Sequence, residues 1–455
     1  MLCYSSAQSL SKMKIVRVYH EDDMDDIPLR RLSYTLQFID NHPLKPENVS
    51  IIFGNNAQKA VGEVTVGYGL ANEDGYCIPK QDWIFLRKYL GSDEAFINGY
   101  RFGHCTAYSV EKEKKLKKLD FLQDRQFAFD IFETIFFHIS RLEEYHSTES
   151  SKKLSENRLL LIKYELQTVP IVDRLIHIFF DALGIPSAPR KTSISLSHDA
   201  DHLVKYHSTI QTLHFIGSVA KHHPQKTAAA LSNWLKTSIL HKVDPYQDWV
   251  KILSDRPIEK TIYFIVESDH PFDPSYISHS AIAKAIEISK SKNYKIGLHP
   301  SFNTWNNVGQ MKKQKMILEK IGGVNVEKNR QHFLNFRFPV TLHILEDVGI
   351  KEDSSLGYAH HIGFRCGTGF PYRLYNIETE KTLDITEKPL IWMDRAVWLY
   401  SEKDAKAFMF LTRDFIASNS LNTHLHINLH NSAFFDFSMY GIDLHEVLNI
   451  FFDGE

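Results

Sequence analysis

Cysteine is scarce in this chain. Four residues, Cys3, Cys77, Cys105 and Cys366, are spread over 455 positions with no CxxC pair among them. That spacing speaks against a zinc ribbon or a disulfide framework and fits a reducing compartment. Net charge is almost absent as well, since 53 Lys and Arg face 55 Asp and Glu. The densest basic patch (Lys112, Lys114, Lys115, Lys117, Lys118) is interleaved with Glu111 and Glu113, the pattern of a solvated helix face. A nucleic-acid partner is therefore not expected. No run approaches the roughly 18 consecutive apolar residues of a membrane span. The N-terminus lacks a basic stretch followed by an apolar one, so no secretory signal is expected. Residues 1–12 read as a dispensable leader, and the expected location is the cytoplasm.

What the chain does have is an ordinary globular composition, 43 % apolar and 24 % charged, over a length that suits two or three domains. Strand-like runs fall at 13–18 and 49–53. Phe127, Phe129, Ile131, Phe132, Ile135, Phe136 and Ile139 give 124–145 a wide helical stripe. A second helix is expected over 172–183, and the Pro-containing loop 184–190 marks a domain boundary. Residues 1–185 are read as an α+β domain. From 186 to 455, strands alternate with helices, interrupted by an all-helical insertion at about 204–256. Expected strands lie at 261–266, 294–298, 333–338, 351–357, 390–394 and 425–429, with helices at 279–289, 313–321, 339–348 and 402–419. That alternation predicts an α/β sheet or distorted (β/α) barrel with its site at the C-terminal strand ends.

The second half is organised around Ser195-Leu196-Ser197-His198-Asp199-Ala200-Asp201-His202, a short strand ending in crowded ionisable groups. Carboxylates this close must be paired, solvated or bound to a cation. Further polar clusters close later strands: His299; Arg337; Asp353 with Arg365; and His430 with Asn431. An Asp and a His completed by one more ligand suit a divalent transition metal. A second Asp on the same strand end can act as base and a late His as acid, the division of labour of metal-assisted hydrolysis. The competing reading of Asp199 and Asp201 is an Asp-rich capping turn.

In order and surroundings these motifs resemble the polysaccharide deacetylases of carbohydrate esterase family four, the NodB-homology domain. Within that family the chain is similar to a bacterial subgroup with a separate N-terminal domain. The resemblance spans 192–435 by motif and 13–183 more weakly. It implies Asp199 as general base, Asp201 and His299 (in Gly297-Leu298-His299-Pro300) as metal ligands, and Arg337 (in Phe336-Arg337-Phe338-Pro339) as the arginine that orients the base. It implies His430 (in Ile427-Asn428-Leu429-His430-Asn431) as the acid, and Asp353-Ser354-Ser355 as part of the groove. Asn303 stands where the family has its second metal histidine. An amide oxygen is a weaker ligand, so Asn303, His198, His202, His332 or a water would complete the site.

Arg330 and His332 read as surface residues, and Cys366 as a small packed side chain. Asp353, Arg365, Trp392 and Asn431 are the candidate substrate contacts. Arg365 either binds substrate or braces its loop, and Trp305, Trp392 and Phe434 either stack on sugar rings or fill the core. The expected cofactor is zinc, with cobalt or nickel as alternatives. The expected partner is an acetylated sugar or glycan intermediate, N-acetyl before O-acetyl. The competing function is a carbohydrate-binding or assembly protein that kept the fold and lost the metal through Asn303.

Overall fold

The computed structural model describes residues 13–20, 24–54, 63–68, 76–78, 122–123, 125–127, 130–145, 155–163, 165–222, 224–238, 246 and 255–452. The leader, the basic patch at 112–118, Cys3 and Cys105 lie outside them. The chain forms two compact units, one of residues 1–140 with 172–190 and one of 141–171 with 191–455.

The first unit contains a six-stranded sheet in the order β2-β1-β3-β4-β6-β5, from β1 (Lys14–Tyr19), β2 (Val49–Gly54), β3 (Glu63–Tyr68), β4 (Tyr76–Ile78), β5 (Leu122–Gln123) and β6 (Gln126–Phe127). All its ladders are parallel except the β5–β6 hairpin. Helices α1 (Asp26–Asn41) and α2 (Ile131–Ile139) meet through an edge-on contact of Tyr34 and Phe136. Asp130 caps α2 by accepting from the N–H groups of Phe132 and Glu133. Helix α3 (Ile171–Ala182) adds Phe179 against Phe132.

The second unit is built on nine strands: β7 (Ser193–Ala200), β8 (Lys260–Phe264), β9 (Lys295–Leu298), β10 (Lys328–Asn329), β11 (Glu352–Asp353), β12 (Tyr372–Asn376), β13 (Lys381–Glu387), β14 (Trp392–Met393) and β15 (His424–His430). Their order is β12-β13-β11-β10-β9-β8-β7-β15-β14, parallel throughout except for β12 against β13. The distorted barrel expected from sequence is thus an open sheet among the described residues, with no ladder joining edge strands β12 and β14. Its apolar face is covered by helices. Leu196, Leu425, Ile427 and Leu429 point into a cluster with Trp392, Phe408, Phe415, Phe437 and Phe451. The run at 333–338 is not a strand. Phe333 and Leu334 take φ of 57° and 49° in a tight turn, and the actual strand of this stretch is the two-residue β10 just before it.

Residues 141–171 are fastened to the rest of the second unit by a buried ion cluster. Glu144 accepts from Arg141 Nε (2.9 Å) and from Arg365 Nε (3.1 Å) and Nη2 (2.5 Å), while Glu143 accepts from Arg141 Nη2 (2.9 Å). Burial alone would raise the Glu144 carboxyl, but the two guanidiniums hold it down to about 2. Glu156 accepts from the N–H groups of Ala359 and His360, and Gln167 O from that of Phe364. Two buried cations around one carboxylate predict a large loss when that charge is removed. Glu144→Gln should destabilise the protein by about 3–5 kcal/mol in denaturant titration; an unchanged midpoint would contradict the reading.

Candidate metal and acid–base site

Strands β7 and β15 run side by side with Ser193 opposite His424, Ser195 opposite His426, Ser197 opposite Asn428 and Asp199 opposite His430. A strand's period of two sends these eight side chains to one face and the apolar ones to the other. The polar face is closed by Arg330, which directly follows β10 and is fully buried. Its Nε donates to Ser354 O (3.0 Å). Nη1 donates to Asp199 Oδ1 (2.8 Å) and Asn428 Oδ1 (2.6 Å), and Nη2 to Ser354 Oγ (2.9 Å) and His426 Nε2 (2.8 Å). A guanidinium has five N–H groups and no acceptor, and here each one has a partner.

That polarity propagates. His426 must accept at Nε2, so its Nδ1–H donates to Ser195 Oγ (2.8 Å). The Ser195 hydroxyl then donates to His424 Nε2 (2.8 Å), and His424 Nδ1–H donates to Ser193 Oγ (2.8 Å). Both rings are neutral in this arrangement. Burial, reinforced by Lys388, pushes His424 down to about 4; burial, Lys388 and Arg330 push His426 well below the ordinary histidine value.

Three donors converge above this layer. Asp201, His299 and His332 each offer one ligand atom, all within 4.8 Å of one another. His299 Nδ1–H donates to Arg330 O (2.6 Å), which leaves the Nε2 lone pair facing Asp201 Oδ1 at 3.2 Å. Asp201 Oδ1 is buried without a hydrogen-bond donor. Two lone pairs at that distance repel unless a proton or a metal ion lies between them. Burial works against a charged His299, yet Asp199 and Asp201 outweigh it and raise its pKa, which expresses the same demand for a cation. His332 is oriented in the same way. Its Nδ1 bonds Asp273 Oδ1 (2.8 Å), itself fixed by the Phe302 N–H, and Nε2 turns toward Asp201 Oδ2 (3.9 Å). Imidazoles held at one nitrogen by a carbonyl or carboxylate, with the other aimed at a shared carboxylate, are the usual furniture of a zinc-like site. The donor set fits a divalent transition metal.

Flanking the donors are a second carboxylate, Asp199, and a third imidazole, His430. Asp199 accepts from Arg330 at Oδ1 and from Asn428 Nδ2 at Oδ2 (2.9 Å). Burial would raise its carboxyl, but Arg330, His299 and His430 more than offset this and keep it ionised. His430 Nδ1 bonds Asp394 Oδ1 (2.6 Å), and its Nε2 lies 3.9 Å from Asp199 Oδ2 and 3.8 Å from Asp201 Oδ2. Burial opposes its protonation, but Asp394 first, then Asp201 and Asp199, raise it to about 9. At neutral pH the pair is a carboxylate beside an imidazolium.

The structure therefore brings Asp199, Asp201, His299 and His430 together and corrects two of the expected roles. Arg337 does not meet Asp199: its guanidinium lies 3.7 Å over the Trp305 ring, and its Nε bonds Asn335. Arg330, read as a surface residue, bonds Asp199 instead. Asn303 is not among the converging donors. Its backbone and side-chain N–H groups both bond Asp269, and the third converging donor is His332, read as a surface residue but also named among the groups that could stand in for the missing histidine.

The expected substrate contacts are interior groups. Arg365 belongs to the buried ion cluster with Glu144, and Trp392 is fully buried between Phe408 and Phe451. Asp353 is enclosed by Asn329 and Ser355, and burial raises its pKa. Asn431 is buried too, with Nδ2 bonding the carbonyls of His202 and Tyr246. His198 lies on the apolar side of β7, bonded to Leu429 O. Cys366 is buried, which pushes its thiol up and away from reactivity.

Residues 18–185 match a sequence family described as a family of unknown function (DUF7033). No curated protein matches the chain. Among solved structures, the chain is similar to a protein from Mycobacterium smegmatis assigned as a polysaccharide deacetylase. The two are 15% identical with a TM-score of 0.35, over 59% of this chain and 85% of that one. It is also similar to a CE4 family pseudoenzyme from Bacillus anthracis, at 8% identity and a TM-score of 0.23, over 58% of this chain and 62% of that one.

The neutral histidines set an acid limit. His198 and His424 both sit near 4 in the folded protein, His198 chiefly through burial, against about 6.5 when exposed. Depressed folded values mean that stability is complete above about pH 6.5, where neither state binds the extra proton, and is lost as pH falls toward 4. The melting temperature should drop steeply as pH falls below about 6.5. His424→Gln should remove part of that slope. A melting temperature unchanged between neutral pH and 4 would contradict the assignment of neutral rings.

Proposed function

We propose that the chain is a metal-dependent hydrolase that removes acetyl groups, N-acetyl in the first place, from a carbohydrate substrate. One observation carries the reading: three oriented donors converge beside an ionised carboxylate held by a buried arginine and a protonated imidazole held by a buried carboxylate. Asp201, His299 and His332 would hold a divalent metal, zinc before cobalt or nickel, and when bound it would supply Lewis-acid polarisation of the acetyl carbonyl and acidify water.

Asp199 is the base. Arg330 and Asn428 fix both of its oxygens, so the lone pair left on Oδ2 has a set direction, toward the space shared with His430. It takes the proton of the water whose oxygen bonds to the acetyl carbon. His430 is the acid. Its Nε2–H passes to the departing nitrogen or oxygen as the bond to the acetyl carbon breaks, leaving acetate and a free amine or hydroxyl. Asp394 keeps the ring charged and oriented until that moment. The motif order from Asp199 to Asn431 supports an acetylated sugar as substrate, and a cytoplasmic setting would favour a biosynthetic intermediate.

Acetate release from a panel of N- and O-acetylated sugars, with zinc or cobalt supplied, tests this. Wild type should release acetate. Asp199→Asn and His430→Gln should each lose about 10²–10⁴-fold in kcat, measured on protein confirmed as folded by circular dichroism because Asp199→Asn also leaves Arg330 without its carboxylate. Full activity in Asp199→Asn would overturn the proposal. Sugar binding without any release by wild type would favour the non-hydrolytic reading.

A further inference from the structure

Residues 202–243 contain no Asp and no Glu, in a chain that carries 55 of them. The same stretch holds Lys205, Lys221, Lys226, Lys236 and Lys242 and six histidines. It includes two helices, α4 (Thr209–His222) and α5 (Thr227–Ser238). Both turn their buried side toward one small cluster, Val219 and Ala230 with Met439, joined by Phe215, Ile216 and Phe435. Lys205 anchors the stretch from inside, bonding Asp436 and Tyr246 and lying 3.8 Å over the Phe215 ring.

With the inner faces committed, the outer faces are unusual. Ile210 and Leu213 on α4 are 68% and 53% exposed, and Leu231 and Leu235 on α5 are 41% and 42% exposed. Spacings of three and four put each pair on one side of its helix. Lys221 and Lys236 are exposed on the same two helices. Aliphatic side chains that stand out from a helix pair, flanked by lysines and with no carboxylate to repel a phosphate, suit a surface of lipid headgroups. Aliphatic tips enter the boundary layer while ammonium groups meet the phosphates. No helix among the described residues is long and apolar enough to cross a membrane.

We infer that α4 and α5 dock the protein onto an anionic lipid bilayer through Ile210, Leu213, Leu231 and Leu235. The stretch leaves the sheet directly after Asp199 and Asp201, and its seat is the helix that follows His430. Docking therefore engages the element bordering the candidate site. If the deacetylase reading holds, on which this clause rests, the substrate is a glycan presented on a lipid.

Co-sedimentation of the full-length protein with vesicles tests the inference without any turnover, so its outcome is separate from that of the activity assay. Vesicles of phosphatidylcholine and phosphatidylglycerol in roughly equal amounts should bind the protein, and phosphatidylcholine alone should bind it weakly. Salt should weaken the binding, and the variant I210S/L213S/L231S/L235S should reduce it about tenfold or more. The charge variant K221E/K236E, which leaves the apolar residues in place, should also reduce it. Absence of binding to either vesicle, or binding that both variants leave intact, would overturn the inference. So would a solution dimer that the apolar variant converts to monomer, which would assign this face to a second copy of the chain.

Discussion

A fully buried guanidinium with every N–H committed sets the geometry of the second unit. Leaving a charged group in the interior is costly unless it is paired and hydrogen-bonded throughout, and Arg330 meets that condition through Asp199, Asn428, His426 and Ser354. Because arginine only donates, each partner is forced into its accepting state. Asn428 turns its carbonyl to Arg330 and its amide to Asp199, and His426 and His424 take single tautomers along the ladder to Ser193. The backbone of the same residue fixes His299. One residue thus holds Asp199 by its side chain and orients His299 by its backbone carbonyl.

This explains why the interior face of β7 and β15 is polar, where a sheet in a protein core normally carries Val, Ile and Leu. Serines and histidines there form the insulated chain of hydrogen bonds that Arg330 requires. The apolar residues are displaced to the outer face, where the helices cover them. Two centres of buried charge, this one and the Arg141–Glu144–Arg365 cluster, account for the arginines that a sequence reading assigns to solvent or substrate.

Much of this is legible in the sequence, and the rest has identifiable physical reasons for being hidden. The helices over 171–182, 279–291 and 340–348 follow from periodicity, and so do the strands carrying Asp199 and His430. The crowding of Asp199 and Asp201 at a strand end marks the site by its electrostatic cost alone. Arg330 escapes because β10 has only two residues, too short for any alternation, so nothing local distinguishes its arginine from a surface one. Arg337, beside Pro339, carries the stronger local pattern but stacks on Trp305. His332 stands among the alternatives to Asn303, but nothing local singles it out, because it sits beside a left-handed turn at Phe333 and Leu334 that no simple pattern announces. The shared polar face has its own signal in the sequence. Ser193, Ser195 and Ser197, and His424, His426 and Asn428, alternate with apolar residues in two segments, which marks two neighbouring strands with a shared polar face.

On the proposed reading His332, and not Asn303, would complete a metal site with Asp201 and His299. Elemental analysis of protein incubated with zinc and then freed of excess tests it most directly. About one ion per chain is expected in wild type and in Asn303→Ala, and close to none in His332→Ala. Metal retained by His332→Ala and lost from Asn303→Ala, or absent from wild type, would contradict it.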